Sequence, residues 1–237
     1  MTTKLAVAGW LWIGTITFAS LVGCYTPSEA IAIGGIAPPA ALQPLDAMRQ
    51  YRQGLAAVAD GNLNQAMINF DRAIALNPQY LLAYLERGSL KDAVEDFAGA
   101  IADFTTAISI DPQSVPAYYN RGVVAGKSGQ HQAAIADYNI AIALDGQYAP
   151  AYLNRGNERD DLGDTNGAIA DYDRAIQSRA NYALAYLNRG IAYGRAGNRD
   201  RAVADLDRAA ALFKATGNLD RANRALKMIA NLQESGV

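Results

Sequence analysis

Apolar positions fall into three regimes along the chain. Residues 5–22 form an uncharged run behind a short basic start at 1–4, and this run holds both tryptophans, Trp10 and Trp12. Residues 25–44 show neither a 3.6-residue nor a 2-residue period and gather Pro27, Pro38, Pro39, Pro44, Gly34 and Gly35, the composition of a locally stiffened linker. From residue 47 onward apolar residues recur at helical spacing, in paired amphipathic stretches separated by short turns.

The paired stretches repeat. Gly54, Gly88, Gly122, Gly156 and Gly190 stand 34 residues apart, as do Ala66, Ala100, Ala134, Ala168 and Ala202, and Ala73, Ala107, Ala141, Ala175 and Ala209. Repeats starting at 47, 81, 115, 149 and 183 put glycine at position eight and alanine at positions twenty and twenty-seven. Position twenty-four is Phe70, Phe104, Tyr138, Tyr172 and Leu206. The small residues predict close approach of a repeat's two helices, with the large side chain filling the space beside them. Position fifteen is Gly61, Gly129, Gly163 and Gly197, where a tight turn requires positive φ, and Glu95 takes the place in repeat two as a local misfit. No repeat can bury its apolar face alone, so stacking is compulsory. Residues 217–237 read as a capping helix and tail, with Leu219, Ala222, Leu226, Ile229 and Ala230 on the covered face and Asp220, Arg221, Arg224 and Lys227 opposite.

A period of 34 with these residues, together with Tyr84, Tyr118, Tyr152 and Tyr186 at position four, resembles the tetratricopeptide-repeat (TPR) family over residues 47–216. The resemblance implies an all-α TPR superhelical solenoid of five helix-turn-helix repeats (47–80, 81–114, 115–148, 149–182, 183–216) plus the C-terminal cap. The family's proline at position thirty-two appears as Pro78 and Pro112 and then lapses to Gly146, Ala180 and Lys214, which leaves the ends of the later second helices open.

The same resemblance implies a protein or peptide partner in a concave groove lined by positions two, five, six, nine, twelve and thirteen of the first helices. Asn120, Asn154 and Asn188 share position six in three successive repeats. A primary amide can bond a peptide backbone whatever its side chains, and the column resembles the asparagine ladder of the TPR groove in O-GlcNAc transferase. The alternative is that these amides only keep a solvated groove polar. Tyr119, Asn157, Lys127 and Arg195 complete the candidate groove set. The set does not match the Lys/Asn carboxylate clamp of chaperone-binding TPRs.

A further pattern links positions seven and twenty-three. Arg87, Arg121, Arg155 and Arg189 accompany Asp103, Asp137, Asp171 and Asp205, whereas repeat one has Gln53 and Asn69. Charged together or neutral together, the two positions read as a pair joining the helices of each repeat. Two solvated faces drifting in parallel are the alternative.

Composition narrows the chemistry. A net charge of −2 and a pI near 5.4 give no basic footprint for nucleic acid. One cysteine excludes an internal disulfide framework, and one histidine excludes most His-based triads and metal sites. The acidic clusters Asp92, Glu95, Asp96 and Glu158, Asp160, Asp161, Asp164 fall near the end of a first helix and its turn. They read as solvated surface, with a hydrolase using the acidic turn as the rival reading from another class. The run 160–166 lacks the order of a calcium loop. His131 reads as a plain surface residue of a turn. No cofactor and no metal is expected.

The uncharged run ends in Leu21-Val22-Gly23-Cys24, which resembles the lipobox of bacterial lipoproteins. That resemblance implies a signal peptide over 1–23, acylation of Cys24, and a tether over 24–44 holding the repeats to a membrane outside the cytoplasm, in a periplasm or on the thylakoid-lumen side. Ordinary cleavage near Ala30–Ala32, giving a soluble secreted protein, is the alternative. The expected role is a membrane-tethered scaffold or adaptor. Two other roles fit the same pattern, an assembly factor for a membrane complex such as a photosynthetic one, and a self-associating structural module.

Overall fold

The computed structural model describes residues 43–234. Residues 1–42, on which the signal-peptide, Cys24 and tether readings fall, lie outside the described residues. The described chain is all helix, in the order α1 (Gln43–Ala59), α2 (Leu63–Leu76), α3 (Leu81–Ala93), α4 (Phe97–Ile110), α5 (Val115–Lys127), α6 (His131–Leu144), α7 (Ala149–Asp161), α8 (Thr165–Ser178), α9 (Ala183–Arg195), α10 (Arg199–Ala215) and α11 (Leu219–Glu234). Odd and even helices pair as the two halves of five repeats, and α11 packs on α10.

Each first helix ends in a left-handed residue. Gly61, Gly129, Gly163 and Gly197 sit at φ between 75° and 85°, and Glu95 takes the same conformation at φ 63°. In repeat two the Glu95 N–H bonds the Asp92 carbonyl and the Asp96 N–H bonds the Lys91 carbonyl, the same 5→2 and 6→1 closure that Gly61 and Asn62 make with Val58 and Ala57. Stack geometry therefore overrides the side chain's preference. The next residue caps the second helix: Asn62, Asp96, Asp164 and Asn198 accept from the backbone N–H three residues on.

The lapse of proline moves only one helix end. α4, α6 and α8 all stop at position thirty, at Ile110, Leu144 and Ser178. In repeat three the Asp145 carboxylate accepts from the Gln147 N–H, as Asp111 does from Gln113 and Asn77 from Gln79, so this local turn survives without proline. In repeat five Lys214 replaces the breaker, and α10 runs on to Ala215 before Gly217 turns the chain.

The core is built from the three ladders. The alanines at positions twenty and twenty-seven are fully buried throughout, and Phe70, Phe104, Tyr138, Tyr172 and Leu206 are at most 1% exposed. A Cβ on Gly88 would lie 2.8 Å from the Phe104 ring, and one on Gly122 2.8 Å from the Tyr138 ring. The glycine at position eight is thus the socket for the ring at position twenty-four.

Arg and Asp clasp the helices beside this socket. The Arg87 guanidinium donates to both carboxylate oxygens of Asp103 (2.9 and 2.5 Å), Arg121 to Asp137 (2.9 and 2.7 Å), Arg155 to Asp171 (2.9 and 2.5 Å) and Arg189 to Asp205 (2.7 and 2.7 Å). All four aspartates are buried. The third guanidinium nitrogen reaches back to the preceding repeat, to Asp71, Thr105, Asn139 and Asp173. Each Arg also lies 5.5–5.8 Å from the centroid of the Tyr at position four. One side chain therefore joins the two helices of its own repeat and the second helix of the one before. The hydrogen bond to Asp137, outweighing desolvation, holds the Arg121 guanidinium above its ordinary pKa. In repeat one the buried Asn69 instead accepts from the Gln65 amide.

The cap differs from expectation. Leu219 and Leu226 are 57% and 49% exposed. Ala222 is buried as expected, Ala225 is buried as well, Ile229 is half-buried and Ala230 is exposed. α11 approaches α10 through Ala222, in a cluster with Ala209 and Phe213, while Leu219 and Leu226 face outward.

The inner wall of the repeat stack

First helices pack against first helices of the next repeat (α3 on α5, α5 on α7, α7 on α9), whereas second helices reach the next repeat chiefly through its first helix. That asymmetry makes the first helices the inner layer. Positions five and six form the columns along it. Position five is Tyr51, Leu85, Tyr119, Leu153 and Leu187, and position six is Arg52, Glu86, Asn120, Asn154 and Asn188.

The candidate groove residues meet one another across repeats. The Asn154 amide donates to the Tyr119 hydroxyl (3.1 Å), and the Asn188 amide donates to the Asn157 side-chain oxygen (2.7 Å), which also accepts from the Tyr172 hydroxyl (3.0 Å). Two of the three asparagines therefore already spend a donor within the wall. Asn120 is half-buried and makes no side-chain hydrogen bond among the described residues. Lys127 and Arg195 are not free groove cations: Lys127 Nζ lies 2.6 Å from Asp92 Oδ2, and Arg195 pairs with Asp160. Asp92 and Asp160 are correspondingly not solvated turn residues, with side chains 18% and 12% exposed.

Three of these partnerships share one spacing. Asp92 to Lys127, Tyr119 to Asn154 and Asp160 to Arg195 are each 35 residues apart. The rotation between repeats brings position n of one first helix opposite position n+1 of the next. Asn157 and Asn188, 31 residues apart, are the exception.

Aromatic rings occupy the wall at repeats one and three. Tyr51 meets Tyr80 edge-on at 5.3 Å and Phe70 at 5.8 Å, while Tyr119 meets Tyr148 at 5.2 Å and Tyr138 at 6.0 Å. Arg179 covers the Tyr182 ring at 4.7 Å. Burial first, then the neighbouring Tyr148 and Tyr182 hydroxyls, push the Tyr119 hydroxyl pKa upward, so it stays a neutral donor and acceptor. Burial likewise raises the Glu86 carboxyl above its ordinary value.

At the edge of this wall His131 departs from the plain surface reading. Its Nδ1 lies 2.7 Å from Glu158 Oε2, joining the start of α6 to the last turns of α7. Glu158 rests over Gly126, where any Cβ would collide with its carboxylate. Of the other acidic turn residues, Asp96 and Asp164 are helix caps, and Glu95, Asp161 and Asp164 are exposed. No helix among the described residues is long and apolar enough to cross a membrane.

Comparison with known proteins gives one family for these repeats. Tetratricopeptide-repeat profiles match residues 50–80, 81–114, 104–136 and 184–214, and a TPR-repeat profile matches 156–197. The crystal structure of MamA protein is 26% identical, with a TM-score of 0.64 over 73% of this chain and 94% of that one. The crystal structure of YrrB, a TPR protein with an unusual peptide-binding site, is 22% identical with a TM-score of 0.60 over 77% and 92%. PilW, a widely conserved type IV pilus biogenesis factor, is 20% identical with a TM-score of 0.63 over 79% and 94%. No curated protein matches significantly.

Proposed function

We propose, from the premise that the chain is a stack of tetratricopeptide repeats, that it is a non-catalytic scaffold that binds an extended segment of a partner protein along its inner wall. The observation that carries this reading is the half-buried column Asn120, Asn154 and Asn188. Asn120 has its whole amide to offer and Asn188 keeps one N–H and the carbonyl after its internal bond, whereas Asn154 is engaged by both the Tyr119 and Tyr138 hydroxyls. Tyr119 and Tyr148 give apolar faces beside those amides. An extended backbone presents donors and acceptors in alternation, which an amide column can meet without reading sequence. YrrB, of the same fold, is described as having a peptide-binding site, and that capacity is what we carry over. The wall's carboxylates Asp92 and Asp160 are held by Lys127 and Arg195, which disfavours a hydrolytic role.

We further place the scaffold outside the cytoplasm, anchored through acylated Cys24, on the lipobox-like sequence alone. A photo-crosslinking residue at position 120 in the native, tethered protein tests both parts. Capture of a partner from position 120 and not from exposed position 207 is expected. Replacing Asn120, Asn154 and Asn188 together by Ala then weakens that partner's binding by about 2–4 kcal/mol, at roughly 0.5–1.5 kcal/mol per hydrogen bond. Cys24→Ser releases the protein from the membrane fraction. Crosslinking only from position 207 would move the partner to the opposite face.

A further inference from the structure

We propose that His131, Glu158 and Asp161 form a site for one divalent transition-metal ion at the joint between repeats three and four. His131 is the first residue of α6. Glu158 and Asp161 are three residues apart on α7, so their carboxylates share one helix face. One ligand atom from each residue lies within 4.8 Å of the other two. His131 Nδ1 and Glu158 Oε2 already stand 2.7 Å apart, and opening that hydrogen bond to about 3.3–3.6 Å gives the separation of two ligands held tetrahedrally at about 2.0–2.2 Å. Asp161 is exposed at the end of its helix, with a carboxylate oxygen already inside that 4.8 Å cluster. Gly126 clears the space in which the Glu158 carboxylate lies.

The donor set selects the class of ion. An imidazole nitrogen with two carboxylates suits zinc, cobalt, nickel or manganese(II), and the absence of sulfur disfavours copper(I). Calcium prefers six to eight oxygens. Three protein ligands leave the remaining positions to water. The two carboxylates balance the ion's charge, because the cations nearby are engaged elsewhere: Arg159 and Arg155 with Asp171, Arg195 with Asp160, and Lys127 with Asp92. A bound ion takes the place of the proton between His131 and Glu158 and bolts α6 to α7. That fixes the third repeat against the fourth, beside the Tyr119–Asn154 contact of the inner wall.

The test uses the untagged chain, stripped with chelator. Zinc is titrated calorimetrically and by thermal melting, and cobalt by its visible absorption. One saturable ion per chain is expected, with a zinc-dependent rise in melting temperature. His131→Ala and Asp161→Asn each weaken zinc binding by about 100-fold or more, beyond the 10–100-fold typical of residues that only support a ligand. Glu158→Gln keeps a hydrogen-bonding partner for His131 and preserves the metal-free melting temperature, yet loses zinc. Asp161→Asn lies on the surface and carries the test if His131→Ala fails to fold. Zinc affinity unchanged in Asp161→Asn, or no saturable binding below about 1 mM, overturns the site.

Discussion

The seam of arginine clasps and the inner wall both join successive repeats, but they are built on different rules. Along the clasps, repeats two to five use the same residues at the same positions, Arg87 with Asp103 through Arg189 with Asp205. Along the wall, chemistry alternates. Repeats two and four carry Asp92 and Asp160 at position twelve, whereas repeats three and five carry Gly126 and Gly194 there, followed by the cations Lys127 and Arg195. The clasps therefore hold the two helices of each repeat in one constant arrangement, and reach the repeat before through residues that vary, Asp71, Thr105, Asn139 and Asp173. The wall, relieved of that duty, is where a repeat can differ from its neighbour and where a ligand would find a particular address.

Breaking a clasp has the largest expected effect. Asp137→Ala leaves the Arg121 guanidinium without its buried partner and should cost about 3–5 kcal/mol in chemical denaturation. Asp207→Ala, on the exposed face of α10, serves as the near-neutral control. Equal, small losses at both sites would reduce the clasps to surface pairs worth roughly 0–1 kcal/mol. Filling a socket comes next. Gly122→Ala pushes a methyl into the Tyr138 ring and should destabilise by about 1–3 kcal/mol, and an unchanged melting temperature would mean that the ring has room to retreat. The smallest effect sharpens the comparison from the other side. Glu95→Gly removes a side chain from a left-handed residue and should stabilise by about 0.5–1 kcal/mol. A lowered melting temperature would show that Glu95 makes contacts that outweigh its strain.

Much of the scaffold was legible because its causes are local and periodic. The socket at position eight and the left-handed turn at position fifteen each recur every 34 residues, and the turn's demand persists even where Glu95 replaces glycine. The candidate site was legible only as a column of residue types. The partners of Lys127, Arg195, Asn154 and Asn188 lie on the next helix over, at distances along the chain that depend on how one repeat rotates against another. The cap was legible only in part for a similar reason: Ala222 is covered as its spacing suggested, but close approach to α10 covers Ala225 and leaves Leu219 and Leu226 exposed.

The sequence by itself determined the period, the helix pairs, the turn residues and the close packing of small residues against rings, because each follows from backbone sterics and side-chain volume within one repeat. Only the tertiary structure decided which inner-wall groups are spent on one another and which, like Asn120, are left to offer. It also decided that His131 meets Glu158 rather than water. Those outcomes turn on the angle between stacked repeats, a small rotation fixed by the summed packing of many side chains and written in no single stretch of the chain.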